Sequence, residues 1–311
     1  MAARAAGVLP LSVAIVCKNN ADTIERSLGS VAGLAREVVA VDSGSTDGTI
    51  DILERHNVRI IRSPWLGHIK TKQLALEACE QEWVLSIDSD ESVEPELAKS
   101  IRRALSSAGA TPLSGGPAVD PGLEPRPRRE QQMDVSGAQT MGFEVNRKVY
   151  YRDKPLNHVW QPEWRLRLVR QSHFRWAGLD PHDFLQAIPI GEVRKQVGHD
   201  AGSPGSSDNG HASSPPIARL QGTLRHDSIS TFGDFFVKQA SHARTMARSL
   251  HASGKRGSIP RLLISPTGAF LKQAVLKQGW RDGYAGWLAA ASTAAGTLIK
   301  HAVLIELSRD E

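Results

Sequence analysis

Residues Trp83–Val93 have the sequence WVLSIDSDESV, in which an apolar run is followed directly by acidic residues. Its first half, up to Ile87, has the composition of a short strand that is buried on both faces of a sheet. The apolar run then stops at three carboxylates, Asp88, Asp90 and Glu91. Because neighbouring carboxylates repel one another and are costly to desolvate, packing alone does not account for them. The stretch therefore predicts a buried strand that ends at a binding site for something positively charged.

Similar apolar runs precede this strand, and helix-period segments lie between them. The runs cover residues 11–18, 37–44 and 58–63. Alternation of short buried strands with helices at this spacing indicates βαβ units, so we expect an α/β fold with a parallel, Rossmann-like sheet.

The first helix is predicted to begin with a capping box, Asp22-x-x-Glu25, and to bury three apolar side chains one turn apart. These are Ile24, Leu28 and Val31. Further helices are expected around 50–53, at 70–80 and at 95–105, the last of which opens with a proline in its first turn.

The chain changes character after residue 107. Residues 108–140 contain five prolines, five glycines and the basic group RPRRE, and residues 198–216 are also rich in small and polar residues. We expect both to be disordered insertions. They divide the chain into segments 1–107, 141–197 and 217–311. In the later segments we expect strands at GFEVNRKVYY, WRLRLVR and ARLQGTLRH, a turn-rich loop at HFRWAGLDPHDF, and helices at 232–251 and from about 262 to the end.

The overall composition excludes some classes of protein. The 40% of apolar residues suffices for a large core, and the net charge of +5 favours an anionic partner such as nucleotide phosphates or an acidic membrane surface. The basic residues are scattered, and no zinc-finger or RNA-binding motif occurs, which argues against nucleic acid. Cys17 and Cys79 lie in apolar patterns without metal-type spacing, and the N-terminal residues do not form a signal-peptide pattern. We therefore expect a cytoplasmic protein with reduced thiols.

Polar residues follow three of the predicted parallel strands. Lys18 and Asn19 come after the first, Asp42 after the second, and Asp88 and Asp90 after the fourth. In an open α/β sheet, ligands bind beyond the carboxyl ends of the strands. Two carboxylates one residue apart can share a divalent cation that has oxygen ligands, and such a cation neutralises the charge on a departing diphosphate. The sequence therefore predicts a site for a metal ion and nucleotide phosphates.

An ordered set of blocks resembles a known family. SVAIVCKNN, VVAVDSGSTDGTIDI, WLGHIKTKQLAL and WVLSIDSDESVEPEL are similar to the nucleotide-sugar half of family 2 glycosyltransferases with the GT-A fold. WQPEWRLRLVR, WAGLDPHDF, GTLRHDS and WRDGYAGWLAAASTAA resemble the acceptor half and C-terminal helices of the lipopolysaccharide core β-1,4-glucosyltransferase-like branch. The resemblance implies a nucleotide-sugar-binding half at 1–107, an acceptor half at 141–197, and a closing strand with C-terminal helices at 217–311.

The resemblance implies a set of nucleotide-sugar-binding residues. Asp42 matches the aspartate that contacts the uracil, and Asn19 lies in the stretch that lines the base pocket. Lys70 and Lys72 fall where the family has basic residues near the nucleotide, although either could equally be a solvated helix residue. Asp88 is expected near the ribose and phosphates.

It also implies a metal site and a catalytic base. Asp90 matches the direct ligand of a divalent Mn²⁺ or Mg²⁺ ion, Asp88 supports it, and His226 lies where related enzymes can supply a histidine ligand. Asp183 occupies the place of the catalytic base. The family has a glutamate there, so Asp183 is a departure that makes the base one methylene shorter. His226 could also be a plain structural histidine.

The expected activity is that of an inverting, metal-dependent hexosyltransferase. It would transfer a sugar, glucose from UDP-glucose by resemblance, to a lipid-linked or lipopolysaccharide-core-type saccharide. Two alternatives stay open. The first is a degenerate nucleotide-sugar-binding protein without turnover. The second is an aspartate-nucleophile phosphatase, because the stretch DSDESV loosely resembles the D-x-D motif of that class. Trp280 with its basic neighbours Lys272, Lys277 and Arg281 further predicts peripheral contact with the cytoplasmic face of the inner membrane.

Overall fold

The computed structural model describes residues 7–107, 140–179, 182–188 and 215–309. The first of these ranges forms four βα units, as the alternation of strand and helix patterns predicts. Its elements are β1 (Leu9–Cys17), α1 (Ala21–Val31), β2 (Ala35–Asp42), α2 (Thr49–Arg55), β3 (Arg59–Arg62), α3 (His68–Glu77), β4 (Trp83–Asp88), the short β5 (Glu91–Val93) and α4 (Pro95–Ser107).

The first four strands are parallel and lie in the order β3-β2-β1-β4. Their side chains fill cores on both faces of the sheet, which explains why the strands are almost continuously apolar. The predicted α/β class with a Rossmann-like first half is confirmed. The carboxyl ends of β1, β2 and β4 meet at one edge, since all three strands run in the same direction.

The start of α1 differs from the prediction. The helix begins at Ala21 with Asn20 as its N-cap, so Asp22 lies inside the first turn and no capping box forms. The backbone N–H of Ala21 instead donates to the Asp47 carboxylate at 3.1 Å. A residue from the loop after β2 therefore binds a free N–H group at the start of α1. The buried residues Ile24, Leu28 and Val31 are those expected.

The later strands extend the same sheet with mostly antiparallel pairs. β6 (Gly142–Tyr151), β7 (Lys154–Pro155), β8 (Trp164–Arg170) and β11 (Ile217–Ile229) complete the order β3-β2-β1-β4-β8-β6-β11-β5, with β7 paired to β6. β11 returns the chain to the first half, because Leu224–His226 pairs antiparallel with Val93–Glu91 of β5. The three strands predicted in these segments are all present.

The stretch expected to be a turn-rich loop is a β-hairpin, so that prediction is wrong. A short 3-10 turn, Gln171–His173, leads into β9 (Phe174–Leu179), which pairs with β10 (His182–Ala187). Phe174 and Trp176 of β9 are buried two residues apart, which is the period of a strand. Leu185 of β10 lies opposite Trp176 and is buried as well. The glycine and proline near the turn masked this alternation.

Helices α5 (Phe232–Ala252), α6 (Ile259–Leu271) and α7 (Gly283–Arg309) follow β11, with a π turn (Lys272–Leu276) and a 3-10 turn (Gly279–Asp282) between the last two. α5 and α7 pack against each other, and α6 contains no buried residue. The expected insertion at 108–140 lies outside the described residues except for Thr140, and the one at 198–216 except for its last two residues.

Candidate functional site

A cavity of about 1030 Å³ opens at the carboxyl edge of the parallel strands. Lys18 and Asn20 line it from the end of β1, and Asp88, Ser89 and Asp90 line it from the end of β4. A volume of this size is at the upper end of the range for ligand pockets, so it has room for a donor and part of an acceptor. The position is the one that the strand-end residues predict.

Lys72 connects the end of β4 to the hairpin. Its Nζ lies 2.7 Å from Asp88 Oδ1 and 2.8 Å from Asp183 Oδ2, and it stands 4.8 Å from the centroid of the Trp176 ring. The Lys72 side chain is 8% exposed, so these contacts are largely shielded from water. Two residues that the sequence assigned to different tasks, Asp88 and Asp183, are thus held by one ammonium group.

The hairpin reaches the site because α3 holds it. Besides the Lys72–Asp183 pair, Gln73 Oε1 accepts a hydrogen bond of 2.8 Å from the Trp176 backbone N–H. Asp183 lies opposite Gly178 in the hairpin register, and its side chain is 12% exposed. A residue far along the chain is therefore fixed beside β4 by two consecutive residues of one helix.

A buried ionic network beside Asp88 was not predicted from the sequence. Arg167 donates to Asp88 Oδ2 at 3.1 Å and to Glu91 Oε1 at 2.9 Å, and Glu91 is fully buried. Burial alone would raise the pKa of Asp88, but the Lys72 and Arg167 charges outweigh it and hold that pKa well below its usual range. Asp88 is therefore a carboxylate with both oxygens engaged. The signal in the sequence was the alternation of arginines in WRLRLVR, which places Arg165 and Arg167 on one face of β8.

Glu163 anchors the outer part of this network. It receives hydrogen bonds from Arg147 at 2.6 Å and from Arg165 at 2.7 Å. Burial opposes ionisation of Glu163, but these guanidinium groups, Arg147 first, lower its pKa to about 2. Arg147 also lies 3.4 Å from Glu91, so β4, β6 and β8 are joined by a continuous chain of paired charges.

Asp90 and His226 form a second pair in the cavity. His226 Nε2 is 3.4 Å from Asp90 Oδ2, and the pairing of β5 with β11 fixes the contact, because the Asp227 backbone N–H donates to the Asp90 carbonyl oxygen at 2.8 Å. Burial raises the pKa of the Asp90 carboxyl, but His226 and the charge of Lys238 together lower it, so the net shift is downward. The structure thus brings together two of the three residues predicted to bind the metal.

Asp90 and His226 offer ligand atoms of the kinds that a divalent cation accepts. An aspartate oxygen and an imidazole nitrogen that face each other suit Mn²⁺ or Mg²⁺ with phosphate oxygens as the remaining ligands. Both oxygens of Asp88 already contact a cation, Lys72 on Oδ1 and Arg167 on Oδ2. Within the described ranges, no group of three or more His, Cys, Asp or Glu side chains is arranged to hold a metal ion. Asp90 and His226 therefore fit such an ion as a pair, completed by ligands from a substrate.

The remaining predicted nucleotide-binding residues do not line the cavity. Asp42 is buried, and its carboxylate accepts hydrogen bonds from Gly44 and Ser45 of the loop that follows β2. Asn19 adopts a positive φ of 54° and accepts from the Thr46 backbone N–H at 2.8 Å, so it joins two strand-end loops. Lys70 is exposed on α3 and faces away from the cavity lining. For these three, base or phosphate contact stays a prediction.

Comparison with known proteins places these features in a family. The family model described as "Glycosyl transferase family 2" matches residues 12–166, which include β1 to β4 and the Asp88–Asp90 stretch. An uncharacterized glycosyltransferase of Rickettsia bellii is 40% identical over 97 residues. That match covers 31% of this chain and 33% of the relative, so the chain matches only about a third of the length of this relative.

Longer but more distant similarities extend over most of the chain. The lipopolysaccharide core biosynthesis glycosyltransferase LpsC of Rhizobium meliloti is 25% identical over 296 residues, which is 92% of this chain and 88% of that protein. Among solved structures, TarS 1–349 of S. aureus has a TM-score of 0.40 at 17% identity, covering 96% of this chain and 91% of its own. Glucosyl-3-phosphoglycerate synthase of Mycobacterium tuberculosis has a TM-score of 0.41 at 15% identity, covering 80% and 82%. Overlap at this level is too loose to align individual side chains. The predicted GT-A class agrees with the sheet order described above, and the chain belongs to glycosyl transferase family 2.

Proposed function

We propose that the chain transfers a sugar from a UDP-sugar to a hydroxyl group of a saccharide acceptor, with inversion at the anomeric carbon. The observation that carries this proposal is the placement of Asp183 beside Asp88, through Lys72, in the cavity at the ends of β1 and β4. The Asp88 carboxylate would lie next to the nucleotide, and the Asp183 carboxylate would face the space in which an acceptor approaches. Family membership supports a transferase, and UDP as the carrier is the inference from Asp42 and its loop.

The reaction requires one base, and Asp183 is the residue we assign to it. Its carboxylate would take the proton from the attacking acceptor hydroxyl, whose oxygen then forms the new bond to the anomeric carbon as the bond to the diphosphate breaks. A single displacement of this kind leaves the product with inverted configuration. The Lys72 ammonium keeps Asp183 in place until the hydroxyl arrives, and it lies on the side where negative charge collects on the leaving diphosphate.

Asp90 and His226 would hold a divalent cation, and Asp88 would support this site from the end of β4. When bound, the cation would supply Lewis-acid neutralisation of the leaving diphosphate, an effect worth several kcal/mol. The chain's own contribution is to keep an oxygen and a nitrogen ligand facing each other through the β5–β11 register.

The acceptor is proposed to be a saccharide of the lipopolysaccharide-core type, since LpsC is named for that role and aligns over most of the chain. Glucose remains our proposed donor sugar. The non-catalytic alternative, a protein that only binds a nucleotide sugar, is disfavoured because Asp90, His226 and Asp183 all face one cavity. A phosphatase is disfavoured because Asp88 is held by Lys72 and Arg167 rather than free to act as a nucleophile.

The C-terminal helices support placement at a membrane surface. Large apolar side chains, among them Leu263, Leu276, Trp280 and Trp287, are exposed along α6, the turns and the start of α7. The carboxylate of Asp282 is turned inward and accepts from the backbone N–H groups of residues 157–159, so this face presents cations without an exposed acid.

The helix Gly279–Arg309 is long and apolar enough to cross a bilayer by length and composition, with 22% of its apolar window buried. Trp160 Nε1 donates to Thr293 Oγ1 at 2.9 Å, and Ala285 and Ala289 pack in a core with Phe232 and Phe235. These contacts attach α7 to the rest of the protein and favour attachment at the cytoplasmic face over a span.

Ligand-linked stabilisation tests the function directly. Thermal unfolding is measured with UDP-, GDP- and CDP-glucose, each with Mn²⁺ and with EDTA. UDP-glucose with Mn²⁺ should add about 2.7 kcal/mol of stability at a hundredfold excess over its Kd. Stabilisation by none of the three nucleotide sugars would contradict the proposal, and preference for GDP or CDP would contradict the assigned donor.

A further inference from the structure

The cavity does not end at the nucleotide site but continues between α5 and α7. Side chains at helical spacing line this arm from both helices. On α5 they are Phe235, Lys238, Gln239, His242, Met246 and Leu250, and on α7 they are Thr293, Gly296, Thr297 and Lys300. The part of α5 that lines the arm, from Phe235 to Leu250, is about 22 Å long at 1.5 Å per residue. The arm lies outside residues 141–197, where the acceptor half was predicted.

Small side chains leave room along the contact between the two packed helices at this point. A Cβ built on Gly296 would meet only Gln239 Oε1, at 3.8 Å, so open space faces this residue. Thr293 lies one turn before Gly296 and Thr297 directly follows it, and both line the arm while their hydroxyls donate to carbonyl oxygens of α7. The arm is therefore a groove of polar character with room for a ligand.

The charge of the groove has one sign. Its lining on α5 and α7 includes the ammonium groups of Lys238 and Lys300, and no Asp or Glu. Neither lysine forms a salt bridge with any carboxylate in the described part of the chain. The charge of Lys238 also acts on the Asp90 carboxylate. Two cations that line one concave surface without a salt bridge favour the binding of an anion there. Met246 and Leu250 add an apolar wall beyond the polar part, farthest from Asp90.

We infer that this groove binds the acceptor, and that the acceptor is a saccharide carrying an anionic group, phosphate or carboxylate, which Lys300 and Lys238 recognise. This assignment rests on the proposed glycosyl transfer for its role, and it names the class of the second substrate. A saccharide lying along the groove would place one end beside Asp183 and its charged group near Lys300.

Binding of mannose 6-phosphate, a probe for a phosphorylated saccharide, tests the groove without the donor. Saturation-transfer NMR is recorded for mannose 6-phosphate, for mannose and for dodecyl phosphate. We expect binding of mannose 6-phosphate and none of mannose. Gly296→Phe should fill the groove and Lys300→Met should remove a cation, each weakening binding at least about tenfold. Gly296→Ala, which fits the open space, and Lys99→Met on the exposed side of α4 are the matched controls.

The outcomes separate this inference from the proposed function. Equal binding of mannose and its phosphate, or unchanged binding in Gly296→Phe, would overturn the anionic acceptor groove. Binding of dodecyl phosphate alone would overturn the saccharide and assign the groove to a lipid phosphate. UDP-glucose stabilisation is measured on the same variants and should stay at the wild-type value. If it is absent in the wild type while mannose 6-phosphate binds, the donor proposal fails and the groove assignment stands.

Discussion

Replacing Lys72 by Met removes the charge that Asp88 and Asp183 share. Asp88 keeps Arg167 at 3.1 Å, so Asp183, with a side chain only 12% exposed, is the carboxylate left without its partner. Breaking a buried pair in this way costs about 3–5 kcal/mol, and we expect the lower end of that range because one of the two carboxylates stays paired. At about 2–4 °C per kcal/mol for a chain of this size, the melting temperature should fall by about 6–12 °C.

Lys70→Met is the matched control, because Lys70 lies on the same helix but is exposed, and its loss should change stability by less than about 0.5 kcal/mol. The assay is thermal unfolding followed by circular dichroism at several pH values. The pKa of Asp88 is depressed, so its contribution to stability is present above the unfolded pKa of about 3.9 and is lost as the pH falls through the lower folded pKa. The difference between wild type and Lys72→Met should therefore be complete at pH 7 and shrink below about pH 4. A Lys72 variant as stable as the Lys70 control at pH 7 would refute this account of the site.

Three further predictions concern the chemistry and the membrane. Asp90→Asn removes a charged oxygen ligand while keeping its shape, so Mn²⁺-dependent transfer should be lost, as it should be with EDTA. Asp183→Asn should lower turnover by about 10²–10⁴-fold while UDP-glucose still stabilises the protein, since the base acts on the acceptor. The double variant Lys272→Glu/Arg281→Glu should no longer float with phosphatidylglycerol vesicles, whereas Lys99→Glu should float like the wild type.

Each of these has an outcome that would contradict it. Activity that survives both EDTA and Asp90→Asn would eliminate the metal. Loss of UDP-glucose stabilisation in Asp183→Asn would make that residue structural and place the base elsewhere. A wild-type protein that stays in the soluble fraction with the vesicles at low salt would leave the apolar face of α6 and α7 without a lipid role.

The first half of the fold was predictable because short apolar runs alternate regularly with helix-period segments there. Short runs such as Val84–Ile87 are typical of strands that are buried on both faces of a sheet, and the spacing between runs leaves room for a single helix each time. The hairpin of Phe174 and Leu185 was missed because its alternation lasts only a few residues and a glycine and a proline interrupt it. The cap of α1 was also missed, because its acceptor, Asp47, comes from a different loop and only the folded chain brings the two together.

Some residues that line the cavity were predictable from the sequence, but their contacts were not. Strand ends supplied Asp88 and Asp90, and the family resemblance supplied Asp183 and His226. The sequence could not indicate that Lys72 turns inward while Lys70 faces solvent, because α3 has no clean apolar stripe to orient it. The role of Arg167 likewise depends on β8 lying beside β4, which is a pairing between distant segments.

The pairing of β5 with β11 has a consequence for the order of folding. Asp90 and His226 are far apart in the chain, and only the docking of β11 between β5 and β6 brings them together. Contacts between residues so far apart in the sequence form late in folding, because closing the long intervening loop first costs conformational entropy. Gly222, at φ +87°, allows β11 to pass against the backbone of Leu97, which a Cβ would approach to less than an ordinary contact distance. A nascent chain that has completed only the parallel strands can therefore place Asp88 at the carboxyl edge of the sheet, but it lacks the contact between Asp90 and His226 until this late strand is in register.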